Sequence, residues 1–502
     1  MDELDAGVKR LLVRVEELKN GLQPIQQLPP DVVVEIATYL NPRECQGGDC
    51  QPIMAMSQVC RYWREILISN PESWCFVSSG YLDLIPLFLE RSGSYPLEVH
   101  LTDTWFCYAV RHVIPHANRL AILRCRVEEA GTILLRMLTR LPHPPNLHTF
   151  SITSLGAPII IPEFEMPFVS GNMPNLRTLE LFPFPVIPQF VRFKHLVNLQ
   201  LEVTHSTLTA VLDLLVANPS LEKVRLIGNF EDSEDARAAG SVALRCLQFL
   251  SVERCVGCKF LEKLTLPRKA RIFIRYNIIS RLVPFAFTLP QSMGDNANLQ
   301  GLTSLHMLMA FTNDTYTDIT GPNGSIAMRF AELQYASPIC NAIASLSTTG
   351  ITRLVCEFHP ALGMTHIEKV TRTMGVLPHL EEIKLVHFGG KNTQDFLSAL
   401  RNTNGWTKLL RLEFVHCRQI TGWIVNLIRV ALGRKGEGLT LDTVTIVHKK
   451  GERLPELLER LEMAVGRLRL VGERAEEVVR SELVWDDTTC TARVTSVSAG
   501  WD

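Results

Sequence analysis

The chain has 502 residues, too many for one ordinary core, so two or more domains or a repeat array are expected. With 46% hydrophobic and 21% charged residues it reads as a folded protein, and a formal net charge of −1 excludes the broadly basic surface that nucleic-acid phosphates reward. The opening "MDELDAGVKR" is acidic and has no apolar h-region, so it is not a secretory signal, and no apolar run reaches the roughly 18–20 residues that cross a bilayer. A cytoplasmic or nuclear protein without membrane contact is expected. The 13 cysteines are odd in number and scattered, which fits reduced thiols rather than a disulfide framework.

In chain order, residues 2–20 and the turn after them set Leu4, Val8, Leu11, Val15, Leu18 and Leu22 at alternating steps of three and four, with charges between. This is an amphipathic helix shorter than three heptads, either packed on its own domain, the first expectation, or paired with another helix. Next comes "LPPDVVVEIATYL", where Pro29 and Pro30 suit a first helical turn that needs no N–H. Val33, Ile36, Ala37 and Leu40 share one face of that helix, while Val32, Glu35 and Tyr39 form a second. Apolar residues on both faces imply two partners, the domain's own core and something else. "NPRECQGGDCQP" is a Gly/Pro loop. A further helix starts near Pro52, and "SQVCRYWREILIS" carries Val59, Cys60, Trp63 and Ile66 at helical spacing before "NPESW". Three short helices in so few residues make a marginal core unless something else covers it.

The remainder carries a recurring L-x-x-L-x-L. It occurs as Leu147/Phe150/Ile152, Leu176/Leu179/Leu181, Leu221/Val224/Leu226 and Leu244/Leu247/Phe249, with a shortened copy near Leu199. Later copies are Ile351/Leu354/Cys356, Leu380/Ile383/Leu385, Leu409/Leu412/Phe414 and Leu441/Val444/Ile446. The alternating end of the motif predicts a short strand, and stretches such as "TLTAVLDLLVANP" and "QITGWIVNLIRVALG" predict helices between copies. A strand and a helix every 22–32 residues or so is the leucine-rich-repeat pattern, in which each unit buries its face by stacking on neighbours. Residues 265–350 break the rhythm, and "GDNANLQGLT" and "NDTYTDITGPNGS" read as an inserted loop region.

Leu28-Pro29, then Ile36 and Leu40, then Val59-Cys60-x-x-Trp63 and the trailing Trp74 together make residues 28–74 resemble an F-box. With "GLQPIQQLPP" before it and "LFLERSGSYPLEVHL" and "VIPHANRLAIL" after it, the stretch is similar to basidiomycete fungal F-box proteins with divergent leucine-rich repeats. The resemblance implies that the helical region docks a Skp-type adaptor of a cullin–RING ubiquitin ligase and that the repeats hold a protein substrate. No ubiquitin chemistry would reside in this chain. The adaptor-facing residues it implies are Leu28, Pro29, Val33, Ile36, Leu40, Val59, Cys60 and Trp63. The expected fold class is therefore α+α/β, a small all-helical F-box followed by a leucine-rich-repeat-like α/β solenoid. Its parts are an amphipathic helix and linker at 1–27, the F-box at 28–75, a connecting segment at 76–145, the solenoid at 146–470 and a tail at 471–502.

Catalytic motifs are absent: there is no H-E-x-x-H, G-x-S-x-G or G-x-x-x-x-G-K-[ST]. Cys255 and Cys258 form a lone C-x-x-C, and Cys45 and Cys50 flank a loop without nearby histidines, so neither predicts a metal site. His112 and His116 share a helical face with Pro115 between them and read as ordinary histidines. No cofactor is expected, and the chain reads as a non-catalytic receptor. The alternative is a repeat scaffold that binds protein partners outside any ligase; an enzyme ranks behind both. In a leucine-rich solenoid the strands line the concave side, so the x positions of the motif are the candidate substrate contacts. Arg177, Arg225, Lys384 and Arg411 are the ones singled out, among neighbours of both signs that suit a protein partner.

Overall fold

Period-two alternation decides the architecture: every second side chain of each short strand enters a core and the others stand on an open face. A computed structural model describes residues 2–40, 52–102, 106–127, 144–154, 173–182, 192–203, 208–228, 241–253, 261, 263–267, 269–277, 304–309, 315–321, 324–331, 343, 350–358, 374–402, 407–417, 420–448, 457–472, 480–486 and 491–497. They fall into two compact units, Met1–Thr204 and His205–Asp502.

The first unit opens with α1 (Asp2–Gly21), then α2 (Pro30–Leu40), α3 (Pro52–Val59) and α4 (Arg61–Ser69). The expectation that α1 packs on its own domain is not met: Val8, Leu11, Leu12 and Val15 are all exposed. A 3₁₀ turn at Pro71–Trp74 leads into β1 (Phe76–Ser78), α5 (Ile85–Arg91), β2 (Leu97–Thr102), α6 (Phe106–Val113) and β3 (Leu120–Val127). Next come β4 (Thr149–Ser154), β5 (Thr178–Phe182) and β6 (Asn198–Val203). Each strand pairs in parallel with the next, from β1 to β6. One core row runs Val77, Val99, Leu123, Phe150, Leu179 and Leu199, each beside the next and all buried. At about 1.5–3 kcal/mol of transfer free energy per fully buried side chain, such rows supply the drive that a lone repeat lacks. Asparagines link successive turns: Asn146 Nδ2 donates to Asn118 O at 2.7 Å and Asn175 Nδ2 to Pro145 O at 2.9 Å. The ladder thus begins at Phe76, inside the segment expected to be a connector. β1 and β2 lack the leading L-x-x, whereas β3 carries it as Leu120/Leu123/Cys125, all buried.

The second unit starts with α7 (Leu208–Ala217), β7 (Lys223–Gly228), β9 (Phe249–Glu253) and β11 (Arg271–Asn277), with a small separate pairing of β8 (Val242–Ala243) and β10 (Leu264–Thr265). Leu250 and Val252 fill the core positions of β9, beside Val224 and Leu226 on β7. The copy expected at Leu244/Leu247/Phe249 is therefore phased three residues early, and Phe249 is only half-buried. The expected loop region contains strands instead. β12 (Ser304–Met309), β13 (Thr315–Gly321) and β14 (Gly324–Ala331) form an antiparallel meander, with β14 parallel to β11 and β12 parallel to β15 (Arg353–Phe358). Alternation in "TYTDIT" suffices for a strand, and Ile319 is buried.

The parallel ladder then continues from β15 through β16 (Glu382–Val386), β17 (Arg411–Val415), β18 (Thr443–His448) and β19 (Arg467–Gly472). Between these strands lie α8 (Gly390–Asn402), α9 (Ile420–Gly436) and α10 (Leu458–Ala464). Trp423 of α9 stacks on Phe414 of β17 with ring centroids 4.8 Å apart, fixing helix to sheet. An antiparallel pair, β20 (Arg480–Asp486) and β21 (Thr491–Val497), occupies the expected tail. Among the described residues no helix is long and apolar enough to cross a membrane.

Candidate functional site

Helices α2, α3 and α4 are held by a few polar clamps around a small core of Val33, Ala37, Ile53, Met56, Trp63, Ile66 and Leu67. Pro30 opens α2, and the carbonyl of Pro29 accepts from Val33 N at 3.2 Å. The Leu28 carbonyl accepts from Tyr62 Oη at 3.0 Å, which ties the Leu-Pro-Pro entry onto α4. Cys60 caps α4: its Sγ accepts from Trp63 N at 3.4 Å, while Arg64 Nε donates to Ser57 O at 2.8 Å and locks α4 to α3. A small side chain that can accept a hydrogen bond is what an N-cap position needs.

The expected adaptor residues divide by burial. Val33 and Trp63 are core, Leu28, Ile36 and Cys60 are half-buried, and Pro29, Leu40 and Val59 are exposed. Tyr39 is 81% exposed, and Tyr62 and Ile68 are also open to solvent. Tyr39 was legible as part of the second face of α2. Tyr62 carried no periodic signal, because it directly precedes the buried Trp63. Each of the three helices thus presents apolar or aromatic side chains that its own core does not use, the composition of an interface anchor.

The polar face of the sheet is the other candidate surface, and there the four expected basic contacts are already engaged. Arg177 Nη1 donates to His195 O at 3.1 Å, joining the entry of β5 to that of β6. Arg225 Nε lies 2.7 Å from Glu253 Oε1, and Arg275 Nη1 lies 3.5 Å from Glu253 Oε2. Glu382 bridges Arg353 at 2.9 Å and Arg411 at 3.6 Å, and Lys384 meets Glu413 at 3.0 Å. The register explains the pattern: Glu382 stands directly between Arg353 and Arg411, and Lys384 directly beside Glu413. Cross-strand neighbours of opposite sign pair in this way. The Lys384 pair is partly solvated, so Lys384→Ala is expected to change stability by no more than about 1 kcal/mol. Thermal unfolding checks this, and a loss above about 2 kcal/mol would mean that the pair does more than a surface pair can.

Among the described residues no cluster of three or more His, Cys, Asp or Glu could hold a metal. Burial pushes the Cys417 thiol up to about 12 and drives Cys125 and Cys356 upward as well, so these sulfurs stay protonated and un-nucleophilic near neutral pH. His116 approaches Arg119 at 3.4 Å, and burial, then the Arg119 charge, lowers its pKa. His112 instead lies against the Tyr108 ring. Cys45, Cys50, Cys255 and Cys258 lie outside the described residues.

Among solved structures, an internalin from Listeria monocytogenes is similar over 70% of this chain and 94% of its own, with 14% identity and a TM-score of 0.30. No curated protein matches the chain. The family model described as F-box-like matches residues 25–77. That match spans the Leu-Pro-Pro entry, the three clamped helices and Trp74, so the amino-terminal helical region is an F-box-like domain.

Proposed function

We propose that this protein is the substrate-recognition subunit of a Skp–cullin–F-box ubiquitin ligase, acting in the cytoplasm or nucleus. The F-box-like helices dock a Skp-type adaptor, and the parallel-strand ladder holds a protein substrate for ubiquitin transfer by the associated subunits. The chain itself is non-catalytic. The observation that carries this reading is the surplus of exposed apolar side chains on α2, α3 and α4 within the segment that matches the F-box-like family. Leu40, Val59 and Tyr39 have no role in the helices' own core, and a small helical domain gains stability when a partner covers such groups.

Co-purification with a Skp-type adaptor tests the proposal. Stoichiometric capture is expected. The double substitution Leu28→Ala/Pro29→Ala should weaken capture by about 1–3 kcal/mol, as removal of interface anchors does. Tyr39→Ala should weaken capture with no change in melting temperature, because its side chain is solvent-exposed. Absence of capture by the folded wild-type chain would favour a repeat scaffold working outside a ligase.

A further inference from the structure

In the second unit, basic side chains on the polar sheet face come in pairs that share a carboxylate: Arg225 and Arg275 share Glu253, and Arg353 and Arg411 share Glu382. The first unit has two arginines of the same kind and, among the described residues, no such carboxylate between them. Arg124 and Arg126 are two residues apart on β3, hence on one face and about 7 Å apart along the strand. Their neighbours Leu123 and Cys125 point into the core. Among the described residues neither guanidinium forms a hydrogen bond or an ion pair, and the Nε of each is buried. Two cations at that spacing repel, and a buried donor without an acceptor is costly.

The flanking strands complete the surroundings. On β4, Ser151 stands beside Arg124 and Thr153 beside Arg126. On β2, His100 and Thr102 occupy the other side. The carboxylates of this face are displaced from the arginine pair: Glu98 is held by His100 at 3.0 Å, and Glu180 lies beside Ser151, one strand beyond Arg124.

We propose that Arg124 and Arg126, with the hydroxyls of Ser151 and Thr153, form a binding site for an oxyanion on an extended peptide segment of a protein partner. The anion is a phosphoryl group or a pair of carboxylates, which accept the forked N–H donors that arginine offers. Glu98 and Glu180 on either side disfavour a continuous phosphate backbone, as does the formal net charge of −1, so a nucleic acid does not fit. The proposal rests on the substrate-receptor reading and specifies the charge its substrate carries.

The test is fluorescence anisotropy of the full chain with three labelled degenerate peptide libraries, fixed at phosphoserine, at serine, or at adjacent glutamates. At least one anionic library should bind more tightly than the serine library, and which one does so identifies the source of the anion. Inorganic phosphate should compete. Arg124→Ala/Arg126→Ala should weaken that binding about 10- to 100-fold. Should the alanine pair fail to fold, Arg124→Lys/Arg126→Lys keeps the charge but loses the fork, and binding should still fall about 3-fold or more. Equal binding of all three libraries, or undiminished binding by a folded variant, overturns the site. Adaptor capture, measured separately, separates the two ideas. Loss of anionic-peptide binding with capture intact sinks this site alone. Failed capture with peptide binding intact sinks the ligase reading alone.

Discussion

Glu253→Ala is expected to destabilise the second unit by about 3–5 kcal/mol, the cost typical of removing one partner from a buried ion pair. The carboxylate is 3% exposed and receives Arg225 Nε at 2.7 Å, Ser251 Oγ at 3.3 Å and Arg275 Nη1 at 3.5 Å. Truncation removes the carboxylate that stands between two largely buried guanidinium groups on strands β7 and β11. Glu253→Gln keeps the shape and an acceptor, so it should cost roughly half as much. The double variant Glu253→Ala/Arg225→Ala should recover part of the loss, since it removes one of the two cations that face the lost carboxylate. Urea unfolding of the three variants decides the matter. A Glu253→Ala loss below about 1 kcal/mol would place the triad among weak surface pairs. The same geometry bears on substrate binding: a change at Arg225 that reduces capture must be read beside its melting temperature, because Arg225 is a structural partner first.

The strand positions were legible because a buried residue recurs at fixed offsets wherever a leucine turn feeds a strand, as at Leu147, Leu176, Leu380 and Leu409. The phase slipped at "LRCLQFLSV", where Leu244/Leu247 and Leu247/Leu250 both satisfy L-x-x-L. Pairing of Leu250 beside Val224 and Ile272 selects the later frame, and that information lies in other strands. β1 and β2 were illegible for a related reason: their alternation is clear, but no leucine turn precedes them. β3 does carry the frame, at Leu120/Leu123/Cys125, outside the copies expected from the sequence. Missing those strands also hid Arg124 and Arg126, which gain meaning only when β3 lies in the sheet with a solvated face. The ion pairs were hidden too. Arg225 and Glu253, or Lys384 and Glu413, are separated by about one repeat, and register rather than sequence proximity makes them neighbours. The helical heptad spacing of α1 is common to packed and paired helices, so its exposure could be known only from the tertiary structure.

Trp74→Ala is expected to cost the first unit about 3–5 kcal/mol and to abolish adaptor capture with it. Trp74 is fully buried, its Nε1 donates to Leu67 O at 2.7 Å, and its ring meets Phe88 edge-on with centroids 5.0 Å apart. The Arg91 guanidinium covers the same ring at 4.2 Å, a cation–π contact worth about 0.5–2 kcal/mol. Leu67 belongs to α4, whereas Phe88 and Arg91 belong to α5, the helix that carries the chain from β1 to β2. One side chain therefore fastens the F-box-like helices to the start of the parallel ladder. Its loss opens a large cavity, leaves the Leu67 carbonyl with the Asn70 N–H but without the indole donor, and frees α4 to shift, so the exposed groups on α2, α3 and α4 no longer share one geometry. Trp74→Phe retains most of the packing but not the N–H donor, and it should cost only about 1–2 kcal/mol while preserving capture. Thermal unfolding and adaptor pull-down on the same preparations separate anchoring from contact. Tyr39→Ala is expected to lower capture at constant melting temperature, whereas Trp74→Ala is expected to lower both. If Trp74→Ala kept wild-type capture despite the lost stability, adaptor docking would depend on α2 and α3 without the anchored α4, and the role assigned to this tryptophan would be wrong.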